Sequence, residues 1–245
     1  MGLNTERIVV VGNGMAGLAA LQEITRKRKK NTDIVVFGDE PHPSYNRILL
    51  SDVLSGKRAF TQLTLKPRRW YEDNGIRLYT GARVREIDTK RGRVYTERGL
   101  SSPYDKLLLA TGSLPFIPPI QGIEKKGVFF YRTIEDVWGM METARYKRRA
   151  VVIGGGLLGL EAAKALKDDG MKVTVVHLLD RLMEQQLDPT AASLLRTQIE
   201  KMGIGVLMER VTEEIIGNGH VTGIRFKDGE TLDADLVLIC TGIRP

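Results

Sequence analysis

Six glycines in two matching arrangements are the residues whose spacing points most directly to chemistry. Gly12, Gly14 and Gly17 lie in IVVVGNGMAGLAAL (Ile8–Leu21), and Gly154, Gly156 and Gly159 lie in VVIGGGLLGLEAAKAL (Val151–Leu166). Each G-x-G-x-x-G follows a short β-branched run and opens a helical apolar pattern, which is the context a dinucleotide fingerprint requires. The first glycine permits a tight turn, the second lets backbone approach a pyrophosphate, and the third lets helix pack closely on strand. Free N–H groups and the helix dipole then favour the phosphates. Met15 and Ala16 in one copy, and Leu157 and Leu158 in the other, complete the phosphate loops. A glycine-rich turn without a ligand is the lesser alternative for a single fingerprint, and two copies in register weaken it further.

An acidic residue about 20 positions further on normally binds a ribose hydroxyl. After the first copy, IVVF ends at Gly38-Asp39-Glu40, and both acids are candidates, with a solvated turn as the alternative. After the second, VTVV ends in His177, with Asp180 three residues later. A histidine there removes the charge that would repel a 2′-phosphate, so NADH and NADPH both stay open. Two nucleotide sites in one short chain suggest a relay from a nicotinamide to a flavin, in which the cofactors carry the chemistry.

Other chemistries are excluded by count. Cys240 is the single cysteine, so the 245 residues hold no internal disulfide, no CxxC pair, no four-cysteine zinc site and no iron–sulfur cluster. His42, His177 and His220 show no metal-ligand spacing, and no metal is expected. Cys240 itself, at a strand end beside Thr241-Gly242, is expected to be a small buried apolar residue. The net charge is +7, part of it in Arg26–Lys30, read as a solvated helix end rather than a nucleic-acid patch. No apolar run reaches about 18 residues, and Ile8–Val11 is too short for a signal-peptide core. A cytoplasmic location without membrane contact is the expectation.

The elements that must position these residues repeat as well. A strand at Ile8–Val11 leads to a helix over 15–29 and a strand at Ile34–Phe37. An irregular Pro41–Pro67 segment follows, with a short helix near Ser51–Leu54. A helix at Arg68–Asn74 and strands near Arg77–Tyr79, Val84–Asp88, Arg93–Thr96 and Tyr104–Ala110 close the first half. Pro115, Pro118 and Pro119 mark a linker. The second half has a helix at Ile134–Tyr146, a strand at Ala150–Ile153, a helix over 157–168, a strand at Lys172–His177 and a long helix over 188–202. Strands near 205–216, 220–226 and 235–240 end it. LLLATGSLP and LVLICTGIRP close the two halves alike, at Thr111-Gly112 and Thr241-Gly242. Alternating strands and helices imply an α/β fold with parallel sheets covered on both faces.

The strings VFGDEPHPSYNRILLS, YDKLLLATGSLPFIPPIQG, FFYRTIEDV and LMEQQLD, taken with the two fingerprints, carry a family likeness along the whole chain. The sequence resembles the FAD-dependent pyridine nucleotide oxidoreductases with two dinucleotide-binding domains. Within them it is most similar to the N-terminal reductase part of NAD(P)H nitrite reductase large subunits. The resemblance implies two Rossmann-like domains, the NAD(P)H domain (115–238) inserted in an FAD domain (1–114) whose return begins at 239–245. The FAD domain is thus expected to lack its C-terminal part, as in a fragment, a split gene product or one subunit of an assembly.

The resemblance further implies that Gly12, Gly14, Gly17, Asp39, Glu40 and Arg47 bind FAD, with Ala110, Thr111 and Gly112 on the pyrophosphate side and the Val84 backbone beside the adenine. Gly154, Gly156 and Gly159 would bind NAD(P)H, with His177 at the ribose position and Thr241 and Gly242 at the second strand end. Glu161 would lie near the nicotinamide and the flavin. Arg47 is otherwise a surface arginine and Glu161 a helix-surface carboxylate.

The departures select a branch. Disulfide reductases carry a cysteine pair within the stretch equivalent to Asp39–Leu54, and peroxidase or oxidase relatives carry one cysteine there; this chain has Ser51-Asp52. Ferredoxin and rubredoxin reductases have a lysine after R-P-P-L-S, whereas Arg47-Ile48-Leu49-Leu50-Ser51-Asp52 has none. The expected activity is hydride transfer from NAD(P)H to FAD without thiol catalysis. Electrons would pass on to an iron–sulfur or sirohaem domain or subunit, and the process belongs to nitrogen metabolism. The alternatives are a nucleotide-binding fragment without turnover and a reductase of small redox proteins. Self-association as a homo-oligomer stays open.

Overall fold

Alternation of β-branched residues decides what the central strands bury. In the first half, Val10, Ile34 and Val36 point to one face of a sheet and pack with Leu18, Leu21, Tyr71 and Ile76. Val9, Val11, Val35 and Phe37 point to the other and pack with Ala82 and Val94. Near-continuous burial along such strands is the mark of a parallel sheet covered on both sides.

The computed structural model describes residues 5–28, 31–146 and 148–245. In chain order the first elements are β1 (Glu6–Val11), α1 (Met15–Lys27), β2 (Thr32–Phe37), α2 (Leu50–Leu54), α3 (Arg68–Asp73), β3 (Ile76–Tyr79), β4 (Val84–Asp88), β5 (Arg93–Thr96), β6 (Ser101–Pro103) and β7 (Lys106–Leu109). They continue with β8 (Leu114–Pro115), β9 (Val128–Phe130), α4 (Ile134–Tyr146), β10 (Arg149–Ile153), α5 (Leu157–Asp168), β11 (Lys172–Val176) and α6 (Pro189–Lys201). The last are β12 (Gly205–Leu207), β13 (Thr212–Ile216), β14 (Gly223–Phe226), β15 (Thr231–Asp233), β16 (Leu236–Ile239) and β17 (Ile243–Arg244).

Two compact units result. The first comprises residues 1–47 and 61–113 with Pro245, and the second 48–60 and 114–244. The first holds a parallel sheet in the order β3-β2-β1-β7 and an antiparallel meander β4-β5-β6. The second holds a parallel sheet in the order β12-β11-β10-β16-β9 and an antiparallel meander β13-β14-β15. The repeat seen in the sequence is therefore a repeat of topology. In each unit three parallel strands, β1-β2-β3 and β10-β11-β12, lead to a meander and a return beside the first of the three, and the second unit adds β9 on the far side of the returning β16.

Register brings the functional ends flush. Val11 stands opposite Phe37 and Leu109, and Ile153 stands opposite Val176 and Ile239. The next residues, Gly12, Gly38 and Ala110 in one unit and Gly154, His177 and Cys240 in the other, thus sit together beyond the carboxyl ends, where α/β sheets bind ligands.

Several boundaries differ from the sequence expectation. The first helix stops at Lys27 and Arg28 is extended. Arg26 and Lys27 occupy its last turn and both pair with Glu23, whereas Lys29 and Lys30 lie outside the described residues. The stretch 205–216 is two strands, because Glu209 turns left-handed at φ 54° between them. Leu114-Pro115, expected as linker, pairs antiparallel with Ile243-Arg244. Among the described residues no helix is long and apolar enough to cross a membrane.

Candidate functional site

The two glycine loops have the same geometry, contact by contact. Gly12 and Gly154 adopt φ of +109° and +122°, open to glycine and costly for other residues. A Cβ on Gly12 would fall 2.0 Å from the Ala110 carbonyl oxygen, and one on Gly154 would fall 2.3 Å from that of Cys240. A Cβ on Gly17 would fall 2.1 Å from the Gly12 oxygen, and one on Gly159 2.1 Å from the Gly154 oxygen. Strand, turn and helix thus touch backbone to backbone at these two places in each unit.

The middle glycines differ in kind. A Cβ on Gly14 or Gly156 would meet nothing within 4 Å. Both residues are the N-caps of their helices, and neither helix start has a side-chain cap. By contrast, α6 starts with the Asp188 carboxylate accepting from the Ala191 N–H. Open space beside uncapped first-turn N–H groups fits a phosphate, so the residues present suit a dinucleotide pyrophosphate in both units. Met15, Ala16, Leu157 and Leu158 form the first turns above these cradles.

In the first unit the segment after β2 carries the charge. Glu40 accepts from the Tyr45 hydroxyl at 2.5 Å and from the Arg47 guanidinium, which also lies over the Tyr45 ring. Both carboxylate oxygens of Glu40 are therefore engaged, while Asp39 is exposed. Gly81 and Ala82 donate backbone hydrogen bonds to Glu40 and Gly38, which brings the start of β4 at Val84 beside this turn. Thr111 and Gly112 follow β7, with the Thr111 nitrogen 3.0 Å from where a Gly12 Cβ would be. Asn13, inside the loop, accepts from the buried Tyr71 hydroxyl at 2.9 Å.

In the second unit His177 is buried, and its ring nitrogens face the Gly155 N–H and Glu184. Thr241 donates to the Phe116 carbonyl at 3.1 Å, and Phe116 donates back to Gly242. Cys240 lies under the loop, its Cβ 3.4 Å from where a Gly159 Cβ would be; in the first unit Ala110 holds that place under Gly17. Its size is thus what the turn requires, and burial pushes its thiol up to about 12.

Glu161 lies one turn into α5, largely exposed, and partial burial raises its carboxyl above the ordinary range. It borders a cavity of about 300 Å³ together with Ser51 and Asp52 of α2 and Lys164 and Asp168 of α5. The buried Tyr131 hydroxyl is near the same carboxyl; burial foremost, and then the Glu161 charge, raises its pKa.

Sequence spacing gave the glycines, Asp39, Glu40 and His177 as candidates, and each stands at the carboxyl end of its sheet. It did not single out Tyr45, Tyr71, Tyr131 or Glu184. Tyr45 and Glu184 stood inside the strings that carry the family likeness, but nothing local marked them as partners of Glu40 and His177.

Comparison with known proteins agrees with this geometry. The family described as pyridine nucleotide-disulphide oxidoreductase matches residues 6–245. Nitrite reductase [NAD(P)H] of Bacillus subtilis (strain 168) is 50% identical over 99% of this chain and 30% of its own length. The assimilatory nitrate reductase electron transfer subunit of the same organism is 47% identical over 99% of this chain and 32% of its own. The NAD-dependent persulfide reductase from A. fulgidus superposes with a TM-score of 0.93 at 31% identity, over 98% of this chain and 46% of that one. The chain spans about a third of the length of the two curated relatives. A match that runs through both glycine cradles and both returning strands leaves one conclusion: the chain belongs to the pyridine nucleotide-disulphide oxidoreductase family, a family of NAD(P)H-dependent flavoprotein oxidoreductases.

Proposed function

We propose that this chain is the NAD(P)H-oxidising, FAD-carrying part of a cytoplasmic nitrite-reductase-type enzyme, delivering electrons to an iron–sulfur or sirohaem acceptor on another domain or subunit. The observation that carries the proposal is the doubled cradle: two helix starts, each uncapped, each open beside its middle glycine, and each pinned backbone to backbone behind it. The flavin and the nicotinamide supply the hydride chemistry once bound.

The chain's own residues bind and orient. In the first unit Gly12, Gly14 and Gly17 hold the FAD pyrophosphate against α1. Asp39, which is exposed, and Glu40, whose oxygens keep acceptor capacity beyond Tyr45 and Arg47, are the two acids for a ribose hydroxyl. In the second unit Gly154, Gly156 and Gly159 hold the NAD(P)H pyrophosphate against α5. Glu161, whose carboxyl binds a proton more readily than usual, is the group closest in sequence to that cradle that can carry charge or a proton. No thiol takes part: the single cysteine keeps its proton at neutral pH.

The test is ferricyanide reduction by the purified, FAD-loaded protein with NADH or NADPH as donor. Turnover with either coenzyme, and a raised KM for that coenzyme in Gly156→Ala, is the expected result. Absence of turnover with both coenzymes would overturn the proposal.

A further inference from the structure

The loop of the second cradle is gripped from below in a way its glycine pattern does not announce. The Gly155 N–H donates to Nδ1 of His177 at 3.0 Å. The Gly155 carbonyl accepts from the Met183 N–H at 3.1 Å. Met183 holds a left-handed φ of 53°, a conformation that non-glycine residues adopt only when their surroundings impose it. A Cβ on Gly155 would fall 2.9 Å from His177 Cγ and 2.5 Å from Leu182 Cδ2, so the missing side chain is what admits the imidazole and the 178–187 loop.

This arrangement assigns the tautomer. A ring nitrogen that accepts an N–H carries no proton, so the neutral imidazole has its proton on Nε2. That nitrogen is 3.2 Å from a Glu184 carboxylate oxygen, to which it donates. With both nitrogens engaged and the residue 8% exposed, His177 has no polar atom left for a ligand.

We propose that His177 is a positioning residue: neutral, with its tautomer set by Glu184, it holds Gly155 so that the N–H groups at the start of α5 face the coenzyme pyrophosphate, and it does not touch the coenzyme ribose. The proposal rests on the second cradle being the NAD(P)H site. The charged groups around His177 are few. Glu184 faces Nε2. Asp180 and Arg181, on the same loop, are 3.7 Å from each other. After β12, Glu209 precedes Arg210, whose N–H donates to the His177 carbonyl and whose guanidinium is held by Asp228 and Glu230.

The experiment measures KM and kcat for NADH and for NADPH in the FAD-loaded protein, with His177→Asn and His177→Gln. Asparagine places an acceptor where Nδ1 stood; glutamine places its amide near Nε2 and leaves the Gly155 N–H bare. Expected for His177→Gln is a KM raised about tenfold for both coenzymes by the same factor, as for one buried donor left unpaired, with kcat within about twofold. Expected for His177→Asn is rescue of KM to within about twofold of the parent. A change in the NADH-to-NADPH ratio in either variant, which a direct ribose contact would produce, would overturn the proposal. So would a KM in His177→Asn well above that of the parent, which also decides the matter if His177→Gln does not fold. Binding of neither coenzyme by the parent would instead overturn the NAD(P)H assignment itself.

Discussion

At the scale of single residues, the glycines of each fingerprint divide into two physical kinds. Gly159 is fixed by protein: its Cβ would lie 2.1 Å from a backbone oxygen, and neither strand nor helix can give way cheaply. Gly156 is not fixed by protein: nothing lies within 4 Å of its Cβ position, and its φ of −81° suits any residue, so under the proposed function the coenzyme is what requires glycine there. Gly159→Ala is therefore expected to cost about 1–3 kcal/mol or more in stability. Gly156→Ala is expected to keep the parent melting temperature while weakening NAD(P)H binding at least tenfold. Thermal melts and coenzyme titrations on the same two samples separate the two effects; equal loss of stability in both variants would contradict the division.

Glu161 carries a pH signature of its own. Its folded carboxyl titrates above its unfolded value because burial disfavours the charge. The folded state then binds the proton more tightly than the unfolded chain, so stability is lost as pH rises through the folded pKa. Glu161→Gln removes that loss. Its melting temperature should match the parent at acid pH and exceed it by a small margin at neutral pH, small because the side chain is largely exposed. A gap that widens on acidification would contradict the sign.

At the scale of elements, strand starts are tied down by charge and strand ends by glycine. Asp235, just before β16, accepts from the Arg148 and Arg149 N–H groups and from the Arg149 guanidinium, which opens β10. These hydrogen bonds, the Arg149 side chain foremost, lower the Asp235 carboxyl to about 2. A depressed carboxyl stabilises the fold above its unfolded pKa, and that contribution fades as pH falls towards the folded value. Asp235→Asn is expected to melt a few degrees below the parent at pH 7, with the gap closing between about pH 4 and 2. A gap that persists at low pH would mean that the amide hydrogen bonds, not the charge, hold the two strands.

Elements also show what the sequence carries and what it hides. The strand–glycine–helix turns were legible because their contacts join residues close along the chain: Gly12 with Gly17, Gly154 with Gly159. The grip on Gly155 was not, because His177 and Glu184 meet it only through the path of a loop with one left-handed methionine. Strands β6 and β15, of three residues each, are too short for period-two alternation to stand out. The 205–216 stretch reads as one strand until the backbone reverses at Glu209.

At the scale of the molecule, the glycine repeat proves to be a repeat of whole units, each a parallel sheet with an antiparallel meander. One detail was invisible locally: residues 48–60, which follow the first unit's Arg47 directly, pack with the second unit. No periodicity in ILLSDVLSGKRAF encodes that choice. It is made by α2 finding apolar surface on α4 and α5. As a result Ser51 and Asp52 border the same cavity as Glu161.

The most direct test of the central claim is an anaerobic titration of the FAD-loaded protein with NADH or NADPH, followed by flavin absorbance. Stoichiometric bleaching of the flavin, slowed in Gly156→Ala through weaker coenzyme binding and restored by excess coenzyme, is the predicted result. Flavin that binds but stays oxidised under excess of both coenzymes would contradict a relay between the two cradles.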